Sequence, residues 1–168
     1  MKNKIAILLP YKENYNLNKA GAASIWVKDY LKKSKLNNIT TVFGNLEKKL
    51  KPLTKNFVNI EINKTLLSKN IFYTNQLYKH HLKKNFKIIE IHNRPESLIF
   101  MIKKKITSKL IFVFHNNPQE MRGSSSIKER MFLAENTDYI YFVSRWVKNK
   151  FFEGLPYSNR NNCEIGIA

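Results

Sequence analysis

Two polar tracts in this chain have side chains suited to chemistry, and each follows a short apolar run. Lys87–Ile91 leads into His92–Asn93–Arg94–Pro95, and Lys109–Phe114 leads into His115–Asn116–Asn117–Pro118. A third junction puts Ser144 and Arg145 directly after Tyr139–Val143. A fourth puts Gly21, between Ala20 and Ala22, at the end of the long polar loop that begins at Pro10. Imidazoles and amides donate and accept hydrogen bonds, arginine forks onto phosphate, and a helix N-terminus offers free N–H groups. Such a set suits the recognition of hydroxyls and phosphates. Each member also has a purely structural reading. A histidine after a strand can be a packing residue, Asn116–Asn117–Pro118 a turn, Ser144 a helix cap, and Gly21 a residue kept for a positive φ. Two histidines at equivalent places on successive strands favour the functional reading.

These residues matter only if one edge of the molecule gathers them. Short apolar runs alternate with segments of helical period. The strands read as Lys4–Leu9, Thr40–Phe43, Phe57–Ile60, Lys87–Ile91, Lys109–Phe114 and Tyr139–Val143, and Cys163–Ala168 resembles the opening of one more. Helices read as Ala22–Lys35, with Trp26, Val27, Tyr30 and Leu31 in one stripe, and Asn70–Lys84, with Ile71, Leu77, Tyr78 and Leu82 inward. Pro95 opens a helix over Glu96–Lys105, and Ser126 with Glu129 forms a capping box for one that runs to about Asn136. Ser144 caps Arg145–Phe152, which Gly154 and Pro156 end. The pattern predicts an α/β fold: a mostly parallel, Rossmann-like sheet with helices on both faces. In such a sheet the residues just past each strand lie along one rim, where ligands bind. Trp26 and Trp146 are expected in helix–sheet interfaces, and His80–His81, Lys128 and Arg130 at the surface.

Composition narrows the chemistry. A length of 168 residues with 43% hydrophobic content fits one domain with a full core. Cys163 is the single cysteine, which excludes an internal disulfide and any cysteine-based metal cluster. Asp29 and Asp138 are the only aspartates, so a carboxylate cage for magnesium or manganese has no obvious source. No Gly-x-Ser-x-Gly elbow, Walker loop or Gly-x-Gly-x-x-Gly follows the strands, and hydrolase, NTPase and dinucleotide-dehydrogenase readings lose support. The amino-terminal apolar run Ile5–Leu9 is far short of the roughly 20 residues that cross a bilayer. A cytoplasmic location is the expectation. The charge of +18, from 30 Lys+Arg against 12 Asp+Glu, suits nucleic acid or an anionic membrane. An AT-biased composition that spreads lysine over every face explains it equally well.

Together these segments resemble the amino-terminal domain of family-4 glycosyltransferases, which have two facing Rossmann-like domains (the GT-B arrangement). The resemblance is carried by Lys4–Pro10, Ala20–Gly21–Ala22, Glu90–Pro95, Phe112–Pro118, Val143–Val147 and Phe151–Gly154. It implies metal-independent, retaining transfer from a nucleotide sugar to a glycan or lipid-linked acceptor, with no cofactor besides that substrate. The amino-terminal domain of that family holds the acceptor. By position, His115 lines the catalytic cleft and orients the transferred sugar, and His92, Asn93 and Arg94 serve the acceptor, with Asn116 and Asn117 beside them. Gly21, Ser144 and Arg145 are placed for contact with donor phosphates or acceptor.

The expectation is therefore that residues 1–168 form the acceptor-side half of such an enzyme. The donor domain and its two-glutamate motif lie outside this sequence, and the chain alone has little or no transferase activity. A cell-envelope polysaccharide or glycolipid is the expected product class, with peripheral docking at the inner membrane face. The alternative is a non-enzymatic, basic nucleic-acid-binding domain. Its weakness is that the lysines form no single stripe interleaved with aromatics.

Overall fold

The computed structural model describes residues 4–62, 68–156 and the segment 163–165. Among the described residues seven strands make one sheet in the order β3-β2-β1-β4-β5-β6-β7, and every pair is parallel. They are β1 (Ile5–Leu8), β2 (Thr40–Gly44), β3 (Phe57–Asn59), β4 (Ile88–His92), β5 (Lys109–Phe114), β6 (Tyr139–Phe142) and β7 (Cys163–Ile165). The expected last strand is thus present over Cys163–Ile165, and residues 166–168 lie outside the described residues. Among the described residues five α-helices complete the fold: α1 (Ala22–Lys33), α2 (Lys69–Lys84), α3 (Pro95–Lys103), α4 (Ile127–Asn136) and α5 (Arg145–Phe152).

The sheet sits between two apolar clusters. On one face Ile5, Ile7, Leu9 and Val42 pack against Ala23, Val27 and Leu31 of α1. On the other face, residues from α2, α3, α4 and α5 cover Leu8, Ile89, Ile91, Phe112, Phe114 and Phe142. All four residues of β1 are buried, as a strand covered on both sides must be. Phe114 stacks on Phe142 at 5.7 Å between ring centroids, and both touch Phe151 of α5 at 5.3 Å. Each such ring contributes about 1.5–3 kcal/mol by leaving water, so α5 is held firmly behind the end of β6.

Helix starts follow the expected local chemistry. The Ser126 hydroxyl accepts from the Glu129 amide while the Glu129 carboxylate accepts from the Ser126 amide, closing the capping box. Ser144 accepts from the Val147 amide, and Pro95 occupies the first turn of α3. Gly154 has φ +80°, the left-handed turn expected after α5.

Four side chains depart from expectation. Leu82 is 66% exposed, because the inward line of α2 runs Tyr73, Leu77, His81 and Leu82 is rotated about 100° from it. His81 is correspondingly buried, stacked on Phe86. Trp146 is 55% exposed, since α5 turns Val147 and Phe151 to the core instead. Arg130 is only 3% exposed, and its guanidinium donates to the carbonyls of Ser124, Ser125, Phe151 and Glu153. It ties the start of α4 to the end of α5, a task that the sequence pattern does not reveal.

Candidate functional site

With all strands parallel, the carboxyl ends of β1, β4, β5 and β6 face one way, and the sequence-selected residues fall along that rim. His92 is the last residue of β4 and His115 follows the last residue of β5. Their register neighbours bring the rings together: His92 Nδ1 lies 2.9 Å from His115 Nε2, and the ring centroids are 5.2 Å apart.

The pair continues inward. His92 Nε2 lies 2.6 Å from Glu90 Oε1, two residues back on the same strand and therefore on the same sheet face. His92 is fully buried, and Trp26 of α1 packs over both rings at 5.3 and 6.1 Å. Glu90 stands in one of the segments that carry the family resemblance, but no role follows for it from the sequence, because within Ile88–Ile91 it reads as part of an apolar run. Burial, followed by the proximity of His92, pushes the His115 imidazole down to about 3, so it is neutral at physiological pH.

The other residues hold the rim in shape. Asn93 adopts the left-handed conformation, φ 53°, which asparagine tolerates. Its Oδ1 accepts from the amides of His115 and Asn116 at 3.2 and 3.3 Å, lashing the end of β4 to the end of β5. Arg94 donates to the Asn93 carbonyl and lies over the Tyr11 ring at 5.8 Å. Asn117 begins a 3-10 turn over Pro118–Glu120, accepting from the Gln119 amide and donating to Glu120. Arg94, Asn116 and Asn117 line a polar cleft of about 370 Å³ together with Tyr11, Glu120 and Arg122. Arg122 and Glu96, both in its lining, form an ion pair at 3.1 Å.

His92 is buried with both ring nitrogens in internal contacts, and Asn93 is buried with its Oδ1 bonded to the backbone of His115 and Asn116. Ser144 caps α5 and Arg145 is exposed at the start of that helix; both lie at the end of β6, outside the lining of the cleft. Gly21 precedes α1 with φ −81°, so a positive φ is not what it is kept for. A Cβ there would come within 2.6 Å of the Glu13 carboxyl carbon. That carboxylate accepts from the Ser24 amide and hydroxyl, both at 2.8 Å, and so occupies the amino end of α1 where an anion is favoured. Among the described residues, no group of three or more His, Cys, Asp or Glu is placed to hold a metal ion.

No protein-family model matches the sequence, and no curated protein matches it. Solved structures do. Sucrose-phosphate synthase from Thermosynechococcus elongatus superposes with a TM-score of 0.64 at 12% identity, over 98% of this chain and 47% of that one. The chain has the fold of one Rossmann-like half of a GT-B protein. UDP-GlcNAc 2-epimerase from Neisseria meningitidis, solved with UDP-GlcNAc bound, gives 0.57 at 10% identity over 98% of this chain and 45% of that one. The corresponding epimerase from Methanocaldococcus jannaschii gives 0.53 at 15% identity over 99% and 45%. The chain thus spans about half the length of these three structures. No helix among the described residues is long and apolar enough to cross a membrane.

Proposed function

We propose that this chain is the acceptor-side half of a metal-independent, retaining glycosyltransferase that moves a sugar from a nucleotide-sugar donor to a glycan or lipid-linked acceptor. The observation that supports it best is the rim itself. An arginine and two amides line a cleft of sugar size at the carboxyl ends of adjacent parallel strands, and a neutral imidazole, His115, directly precedes the first of those amides in the chain. A sugar hydroxyl needs both donors and acceptors, and this set offers both without a permanent charge at the histidine. The fold shared with structures of sugar-nucleotide enzymes agrees with the reading.

In the proposed mechanism, His115 meets a hydroxyl of the transferred sugar and holds the ring over the cleft. Arg94, Asn116 and Asn117 bind acceptor hydroxyls or a phosphate, with Asn93 fixing the backbone from which they project. His92 acts from beneath, through His115. Ser144 and Arg145 stand further along the rim, where the N-terminus of α5 suits a phosphate. Gly21 and the Glu13 carboxylate set the edge nearest β1. The matched structures are about twice this chain's length, and a second, donor-binding domain completes the cleft in this reading. The chain alone then binds sugars or their nucleotides weakly and turns them over little or not at all. An anionic membrane face is the proposed docking partner for the +18 charge.

Calorimetric titration with a panel of nucleotide sugars and hexose phosphates tests the reading. Binding by the wild-type chain, weakened about tenfold or more by Arg94→Ala with its lost charge-assisted hydrogen bonds, is the expected result. A chain that binds no member of the panel at millimolar concentration contradicts it.

A further inference from the structure

Glu90 is out of place by the rules of the sheet that holds it. In register it lies between Ile7 of β1 and Ile111 of β5, and it is only 8% exposed. An aliphatic side chain there would continue the row, whereas a buried acid needs a partner to offset its lost hydration. Its partner is His92, itself 0% exposed and a further step from solvent than His115. Three polar groups thus form one line from the sheet interior to the rim, roofed by Trp26.

Building on the functional reading above, we propose that Glu90 is a positioning residue. Acting through His92, it fixes the hydrogen of His115 on Nε2 and leaves His115 Nδ1 bare, as an acceptor for a hydroxyl of the bound sugar. The reasoning is a count of hydrogens. A carboxylate only accepts, so the 2.6 Å contact needs a hydrogen on His92 Nε2. The proposal takes His92 as neutral: its one hydrogen is then on Nε2, and Nδ1 is an acceptor. The 2.9 Å contact to His115 must be donated by His115 Nε2. His115 Nδ1 is left with its lone pair, and it makes no side-chain hydrogen bond among the described residues. The tendency of His115 to stay neutral keeps that lone pair available across the physiological range. The groups that face this line are Trp26 and Tyr30 from α1, Glu90 from β4 and His115 from β5; the Tyr30 hydroxyl is pushed up by burial and by Glu90.

The test is the histidine ring spectrum of the full chain, which has four histidines and needs no ligand for the measurement. Nitrogen-15 ring correlations at neutral pH are expected to find His92 and His115 each protonated on Nε2 and bare on Nδ1. Hydrogen on Nδ1 of His115 reverses the line and overturns the proposal. Glu90→Gln, whose amide donates as well as accepts, is expected to let both tautomers of His115 coexist. A His115 that keeps the single Nε2-protonated form in that variant removes Glu90's control and also overturns the proposal. If the variant does not fold, the wild-type spectrum decides by itself. The calorimetric panel separates the two ideas: binding with the opposite tautomer rejects the relay and keeps the functional reading. The expected tautomers in a chain that binds no sugar nucleotide reject the functional reading and keep the relay.

Discussion

Gly21 illustrates how a single residue acts here through space. Its backbone is one that any residue can adopt, and the Glu13 carboxylate fills the place of a Cβ. Gly21→Ala is therefore expected to push Glu13 off the amides of α1 and lower stability by about 1 kcal/mol, the usual worth of a lost N-cap. Thermal denaturation of the variant reads this; an unchanged melting temperature shows that Glu13 does not cap. His115 makes a second prediction, with a definite sign. Burial, and then the proximity of His92, holds its imidazole down to about 3, against about 6.5 for a free histidine. Between those values the unfolded chain holds the extra proton, so stability falls as pH drops from 6.5 toward 3, by at most about 1.4 kcal/mol per pH unit. Denaturation midpoints at pH 7 and pH 5 should differ less in His115→Gln than in the wild type; equal differences contradict the assignment. His115 was legible in the sequence because it ends an apolar run. The role of Glu90 was not, although Glu90–Pro95 carries the family resemblance, because its meaning lies in a contact to His92 and, through it, to His115 on the next strand.

The elements were easier to read than the side chains they carry. β5 and α5 occupy the expected residues, and most other ends differ by one or two, because apolar runs, caps and proline act locally. Which face of a helix is buried depends on where the helix lies on the sheet, and local signals do not contain that. Leu82 and His81 exchange their expected roles for this reason. Arg130 is the sharpest case. It looked like a solvated helix residue beside Lys128, yet it bonds four carbonyls at the junction of α4 and α5. Arg130→Met keeps much of the volume and removes every donor, leaving buried carbonyls unpaired. The expected loss is about 3 kcal/mol or more in urea denaturation, with Lys128→Met near zero. Similar midpoints for the two variants would show that the clamp contributes nothing.

For the whole molecule, charge and topology lead to different expectations. The charge of +18 predicts that the chain sediments with vesicles containing anionic lipid, and much less with neutral ones. High salt should release it, since surface charges are screened within about 3 Å at 1 M; binding that ignores lipid charge and salt contradicts peripheral docking. Parallel topology concerns the site. It is the reason that residues far apart in sequence, from Gly21 to Arg145, share one rim, and this much followed from the alternation of strands and helices alone. The most direct measurement is therefore an amide shift map of the full chain titrated with nucleotide sugar. The largest changes are expected at residues 92–94 and 115–117, with smaller ones at 21 and 144–145. Changes confined to the amino ends of the strands, or to the outer surfaces of α2 and α4, would contradict a sugar site on this rim.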